Sequence, residues 1–219
     1  QVSVELAPFD VKYGGFTACN INAVSKSGAN QFHGGVFFDY TDDSLRGDTS
    51  EGRTVFVPSF DEKRYGFTLG GPIIPDTLFF FGAYEKFEGS NLFFRGPVGS
   101  GQPNIITGFT QADFDSIVNI ANTVYGISDL GGLPTANPTA DEKYLARFDW
   151  NISDRHRAAF TYNFNKGLNL TESDSNQVTQ FEFGNHLYDR GTELRAYSGQ
   201  LFSDWTDNFS TDLRVSYND

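Results

Sequence analysis

Methionine is absent from this 219-residue chain, tryptophan occurs twice, and cysteine occurs once, at Cys19. A single thiol excludes an internal disulfide framework and a cysteine-based metal cluster, so Cys19 reads as a lone buried thiol. Basic residues are scarce: 16 Lys and Arg stand against 28 Asp and Glu, a net charge of −12. Binding a phosphate backbone needs a basic face, which excludes a nucleic-acid partner. No uninterrupted apolar run approaches the ~20 residues of a helical membrane span. The three histidines, His33, His156 and His186, are scattered and lack Cys or Glu partners at ligand spacing. Neither a signal peptide nor an initiator methionine opens the sequence, so the chain is expected to be an internal piece of a longer protein.

Aromatic residues are what the chain has in excess. They make up 16% of it, with 23 Phe and 10 Tyr, yet the mean hydropathy is −0.39. A soluble core of this size normally mixes in far more Leu, Ile and Met. Many aromatics in a chain that averages polar suit an all-β, antiparallel transmembrane barrel, where lipid-facing and lumen-facing residues alternate.

The alternation is legible along the chain. Val2, Val4 and Leu6 mark one short strand, and Asn20 to Ser25 a second. A turn follows at Ser27-Gly28. From Gln31 the pattern becomes sustained, with Phe32, Gly34, Val36, Phe38 and Tyr40 sharing a face. Tyr65, Phe67, Leu69 and Ile73 share one in the next strand, which ends at Pro75-Asp76. The third strand, Thr77 to Glu88, carries consecutive Leu78-Phe79-Phe80-Phe81, so its two faces are not separable by pattern. In the fourth, Tyr144, Ala146, Phe148, Trp150 and Ile152 oppose Lys143, Leu145, Arg147, Asp149 and Asn151. Ser153-Asp154 turns into the fifth, where Ala158, Phe160, Tyr162 and Phe164 oppose Arg157, Thr161, Asn163 and Asn165. A sixth strand, Gly191 to Trp205, alternates poorly. Thr206-Asp207-Asn208 leads to the seventh, with Phe209, Thr211, Leu213, Val215 and Tyr217 opposite Asp212 and Arg214.

Two regularities fix the class. Long polar connections near 43–61, 89–141 and 167–190 alternate with tight Asp-containing turns, the pattern of extracellular loops and periplasmic turns. Charges also stay opposite the aromatic faces. An Arg on the lipid side near the bilayer midplane costs roughly 2–4 kcal/mol, so Arg147, Asp149, Arg157 and Arg214 are expected to face the lumen. Phe148, Trp150, Phe160, Tyr162, Leu213 and Val215 are then expected to face lipid. Seven strands leave two open edges, which lipid does not tolerate, so further strands are expected downstream.

Within the 89–141 segment, Thr110 with Asp113 offers a helix N-cap ahead of Phe114, Ile117, Val118, Ala121, Val124 and Tyr125 at helical spacing, with Gly126 as the stop. The acidic group Asp39, Asp42, Asp43, Asp48 and Glu51 has the hard oxygens Ca²⁺ prefers. Its spacing matches no EF-hand, and a solvated acidic loop explains it, leaving Asp42, Asp43 and Asp48 as a weak calcium candidate. No nucleophile elbow, phosphate-binding loop or paired-carboxylate arrangement is present, so no catalytic residue, cofactor or enzymatic activity is expected.

The stretch Tyr13-Gly14-Gly15 through Ile21-Asn22-Ala23-Val24-Ser25-Lys26-Ser27-Gly28-Ala29-Asn30-Gln31-Phe32-His33-Gly34 resembles the plug-to-barrel junction of TonB-dependent outer-membrane receptors. Tyr65 to Ile74 with Leu78 to Glu85, and Phe148 to Ile152, resemble the Oar-like branch, which often carries an N-terminal carboxypeptidase-regulatory-like domain. Cys19 departs from the small or aliphatic residue usual there. The resemblance implies that residues 1–29 end a plug domain and 30–219 begin a barrel of 22 strands in the outer membrane of a Gram-negative bacterium. It further implies active uptake of an extracellular siderophore, oligosaccharide or peptide. The implied partners are outer-membrane lipid, a TonB-type energy-coupling protein acting on a region absent from this chain, the unknown substrate, and a possible surface lipoprotein. A passive porin or adhesin-like barrel is the alternative, and a soluble carbohydrate-binding sandwich a more distant one.

Overall fold

Alternating polarity and β-branched or aromatic residues favour long extended strands, and such strands dominate the computed structural model. Residues 2–6, 19–23, 25–57, 59–92, 95–134, 136–171 and 180–219 are described. One seven-stranded sheet organises them. Its strands are β1 (His33–Asp42), β2 (Asp61–Ile74), β3 (Leu78–Leu92), β4 (Ala136–Ser153), β5 (His156–Thr171), β6 (Tyr188–Thr206) and β7 (Phe209–Asn218). Each pairs antiparallel with its sequence neighbours, a plain meander. Val2–Leu6 and Cys19–Ala23 form a separate antiparallel pair. The expected Tyr13-Gly14-Gly15 turn lies outside the described residues.

The register settles what pattern alone left open in β3. Leu78 pairs with Trp150, Phe80 with Phe148 and Tyr84 with Tyr144, whereas Phe79 pairs with Asp149 and Phe81 with Arg147. Directly opposed residues share a face. Leu78, Phe80, Gly82 and Tyr84 therefore belong to the aromatic face, and Phe79 and Phe81 to the charged one. Two expectations shift slightly. Register irregularities fall between Pro72 and Ile74 and between Asn151 and Ser153, so Ile74 pairs with Leu78 and Ser153 with His156. Ile73 and Ile152 sit in these bulges rather than in the regular alternation.

The strands also outrun their expected ends. β3 continues to Leu92, β4 begins at Ala136 and β5 runs to Thr171. The hydrogen-bonded ladder continues through those extensions.

The described residues form almost no core. Among the described residues the buried hydrophobic side chains are Phe60, Phe81, Ile106, Phe114 and Ala121. Val36 is 86% exposed, Val215 62% and Trp150 49%. Among the described residues no second sheet packs on the aromatic face, as a soluble sandwich requires. That face carries an aromatic belt instead. Ring centroids lie 5.8 Å apart for Phe67–Tyr84, 5.1 Å for Tyr84–Tyr144, 5.3 Å for Tyr144–Phe164 and 5.0 Å for Tyr162–Tyr197.

Candidate functional site

Two places bring distant residues together: the junction where the chain enters the sheet, and the longest connection. At the junction, residues 25–30 lie against the charged face. Arg147 forks onto Asp149, its Nε donating at 2.8 Å and its Nη2 at 2.6 Å. Its remaining Nη1 donates to Ser25 Oγ at 3.0 Å. This bidentate pair is about 20% exposed on each side, so solvent screens it only partly. Gly28 lies flat on β2 and β3: a Cβ there would collide with the Phe80 carbonyl and sit 2.8 Å from that of Gly71. Asn30 then clasps the first tight turn, accepting from Asp76 N at 2.8 Å and donating to Asp76 Oδ1 at 2.5 Å. Asp76 has φ +60°, the left-handed conformation that Asp tolerates better than most residues. Asn151 Nδ2 donates to the Asp76 carbonyl at 3.0 Å, tying the turn to β4.

Further along the charged face, the Arg157 and Arg214 guanidinium carbons sit 5.0 and 5.8 Å from the Phe202 ring centroid. Arg214 also forks onto Asp212 at 3.1 and 2.7 Å. Two exceptions make β6 alternate poorly: Phe202 is an aromatic residue on the charged face, used as a platform for cations, while Arg195 and Glu193 lie on the aromatic face opposite Phe164 and Lys166. A cavity of about 330 Å³ lies between Gly28, Phe79, Arg147, Asp149, Arg157 and Phe202. A Gly28→Val change is expected to displace residues 25–30 from the sheet while the barrel strands remain paired. Limited proteolysis of the junction would detect the displacement.

The acidic loop gives no metal centre. Asp42 caps a short helical turn, Asp43–Leu45, with Oδ1 accepting from Ser44 N at 3.0 Å and Leu45 N at 3.1 Å. Asp43 accepts from Ser59 Oγ and Phe60 N at 3.4 Å. Among the described residues no three His, Cys, Asp or Glu side chains converge on a metal-sized site, and Asp42, Asp43 and Asp48 do not. Of the histidines, His33 stacks on Phe81 and His156 packs on Trp205.

The connection between β3 and β4 folds into a cap. Arg95–Val98 pairs in parallel with Asn104–Thr110, an element that no local pattern announces. The helix α1 (Gln111–Tyr125) follows, with a full capping box. The Thr110 hydroxyl donates to Asp113 Oδ2 at 2.7 Å and the Thr110 N–H donates to it at 2.9 Å, while Asp113 N donates back to Thr110 Oγ1 at 3.2 Å. Gly126 ends the helix in the left-handed conformation, φ +70°. The Thr110 hydroxyl, then its N–H, hold the Asp113 carboxyl below the ordinary carboxylate range. A depressed folded-state pKa stabilises above the unfolded value and is lost as pH falls through the folded one. The start of α1 is therefore expected to fray below pH ~4. Asp113→Asn should remove that acid sensitivity, as read by amide hydrogen exchange across residues 111–116.

A second connection completes the cap. Phe181 and Phe183, from the segment between β5 and β6, pack on Phe109 and Phe114. Centroid distances are 5.5 Å for Phe109–Phe181, 5.7 Å for Phe114–Phe181 and 5.0 Å for Phe114–Phe183. Backbone bonds reinforce the joint: Gly184 N donates to Gly132 O and Asn185 N to Leu130 O, both at 3.1 Å. Gly131 approaches so closely that a Cβ there would sit 2.8 Å from Gly184 Cα. Nothing in the polar sequence of that second segment signalled this role. Phe114→Ala is expected to cost the cap on the order of 3 kcal/mol and to expose 95–134 and 180–187 together to protease.

Residues 24–94 match the family described as outer membrane beta barrel domain. The TonB-dependent transporter Oar of Myxococcus xanthus is 39% identical over 90 residues, which are 38% of this chain and 8% of that protein. The first three strands of the sheet are therefore similar to an outer-membrane β-barrel domain. The chain thus spans a small part of that relative's length, and the matched barrel domain begins within the junction and runs through β3. No solved structure matches the chain. Such a domain places the sheet in the outer membrane of a Gram-negative bacterium. Its seven strands form an open part of a barrel wall, with tight turns at one end and the cap at the other.

Proposed function

We propose that this chain joins a plug to the first strands of a TonB-dependent transporter that takes up an extracellular substrate. The observation that carries the reading is the hold of Arg147 on Ser25. A segment leading out of an N-terminal domain lies on the charged face, the side that a barrel turns inward. In this reading residues 1–29 end the plug, and Arg147, Asp149, Arg157 and Arg214 line the lumen wall against it. Phe148, Trp150, Phe160, Tyr162, Leu213 and Val215 meet lipid. The turns at Asp76, Asp154 and Asp207 then face the periplasm, and the cap faces the exterior. Energy would come from an inner-membrane coupling protein acting on a region upstream of this chain. The transporter name of the relative from Myxococcus xanthus supports the role.

Planar-bilayer conductance separates this from a passive porin. The full-length protein is expected to be closed at rest, and removal of everything before residue 29 is expected to open a large, steady channel. An intact protein that conducts freely would instead be a porin.

A further inference from the structure

The aromatic face is not an even belt. In the register row Leu69–Gly82–Ala146–Tyr162, a glycine and an alanine stand side by side. An open hollow of about 600 Å³ results, floored by Gly82 and Ala146 and walled by Phe67, Tyr84, Tyr144 and Tyr162. A Cβ on Gly82 would meet nothing closer than the Leu69 carbonyl at 3.9 Å, so the floor is open space rather than a packing contact. Every strand that lines the hollow, β2 to β5, has both of its neighbours in the sheet, so its walls are complete.

Four residues outward along the strands, about 13 Å, charge returns to this face. Tyr65, Lys86, Glu142, Lys166 and Glu193 form one register row, and its signs alternate from β3 to β6. Two phenols that wall the hollow reach that row: the Tyr144 and Tyr84 hydroxyls donate to Glu142 Oε1 at 2.7 and 3.1 Å. Among the described residues, both of these bonds fall on Oε1 and leave Oε2 to a further donor. Lys86 pairs with Glu88 at 2.7 Å and Lys166 more loosely with Glu193 at 3.5 Å. Exposed pairs of this kind are weak enough for a phosphate to share the ammonium. Arg195, over the Phe164 ring and paired with Glu193, adds a third cation beside the carboxylates of Glu88, Glu142 and Glu193. Balanced, alternating charge complements a headgroup that carries both signs, and offers no surplus to one with several phosphates.

We propose that the hollow and the charged row beyond it bind one zwitterionic phospholipid with a primary amine. An acyl chain fills the hollow over Gly82 and Ala146, the phosphate takes Lys166, and the ammonium meets Glu142. Lys166 and Glu142 oppose each other on adjacent strands about 4.8 Å apart, a spacing that the two-carbon link between phosphate and amine covers. This rests on the lipid-facing assignment of this side of the sheet and names the lipid held there.

The test uses the purified full-length protein in detergent, mixed with equal amounts of phosphatidylethanolamine, phosphatidylglycerol of the same acyl chains and a bis-phosphorylated glycolipid. Native mass spectrometry reads what stays bound. One retained phosphatidylethanolamine is expected, favoured about fivefold or more over each competitor. Gly82→Leu fills the hollow while keeping the face apolar, and should lower that retention about tenfold. The variant should keep the heat-modifiable gel migration of the folded barrel. Glu142→Gln leaves the hollow intact and should bring phosphatidylethanolamine and phosphatidylglycerol to parity, a readout independent of how the Gly82 variant assembles. No retained lipid, equal retention of all three by the intact protein, or an undiminished preference in either folded variant would each overturn the proposal. Oxygen access to a nitroxide at position 160 separates the site from the assignment beneath it. High access there with no preferred lipid overturns the site alone, whereas low access overturns the lipid-facing assignment and the site with it.

Discussion

Arginine in place of Phe160 is expected to block assembly of the barrel, whereas arginine in place of Thr161, one residue along the same strand, is expected to be tolerated. Phe160 lies opposite Phe148 on one side and Gly199 on the other, in the middle of the aromatic face. A guanidinium there enters hydrocarbon and costs roughly 2–4 kcal/mol near the midplane. That is a large fraction of the 5–15 kcal/mol or so that separates folded from unfolded states of ordinary proteins. Thr161 lies opposite Arg147 and Ser198 on the charged face. A second Arg there meets a like charge across the strands, a penalty within about 1 kcal/mol. Asp149, already forked onto Arg147, moderates it further. The folded fraction of each variant in liposomes, read from heat-modifiable migration across a urea series, measures the difference. Equal assembly of the two variants would contradict the two-faced wall.

On the transporter function proposed above, replacing the cap, residues 95–134, by a short Gly-Ser linker is expected to leave a correctly inserted barrel that no longer takes up its substrate. The register makes the deletion geometrically mild. Leu92 pairs directly with Ala136, so the strand ends that the linker must join already lie about 5 Å apart. A hairpin loop of 2–5 residues spans such a gap. What is lost is a body of chain with its own buried centre, Ile106, Phe114 and Ala121, in a connection far longer than strand joining requires. Phe181 and Phe183 lose their partners as well, so the segment between β5 and β6 should become protease-sensitive in the same variant. Energised uptake, assayed as growth on the nutrient that the intact protein supports, should disappear. Growth unchanged by the deletion would show the cap to be protective only.

Much of this architecture was legible because membrane walls impose a period of two. Arg147, Asp149, Arg157 and Arg214 alternate with Phe148, Trp150, Phe160, Leu213 and Val215 so regularly that strands, turns and connections follow from polarity alone. The helix was legible too, since Thr110 and Asp113 write a capping box and Gly126 a stop. β3 was not, because Phe79, Phe80 and Phe81 are chemically identical. Only their partners, Asp149, Phe148 and Arg147, tell the faces apart. The outer strand ends escaped for a different reason: Gly89, Pro138 and Gly167 are residues that strands disfavour, yet the ladder continues through them. The two sites depend on long-range contacts that no local pattern encodes. Ser25 and Arg147 are 122 residues apart. Phe181 and Phe183 sit in a polar stretch whose structural role depends entirely on the distant Phe109 and Phe114.

The central claim is that one face of this sheet meets lipid and the other an aqueous interior, and site-directed spin labelling tests it most directly. With Cys19 changed to Ser, single nitroxides at positions 158 to 163 of the protein reconstituted in bilayers report collisions with oxygen, which concentrates in lipid, and with a water-soluble nickel chelate. The expected result is strict alternation: high oxygen and low nickel access at 158, 160 and 162, with the reverse at 159, 161 and 163. Equal oxygen and nickel access at 160 and 161, without alternation along the strand, would contradict the barrel wall described here.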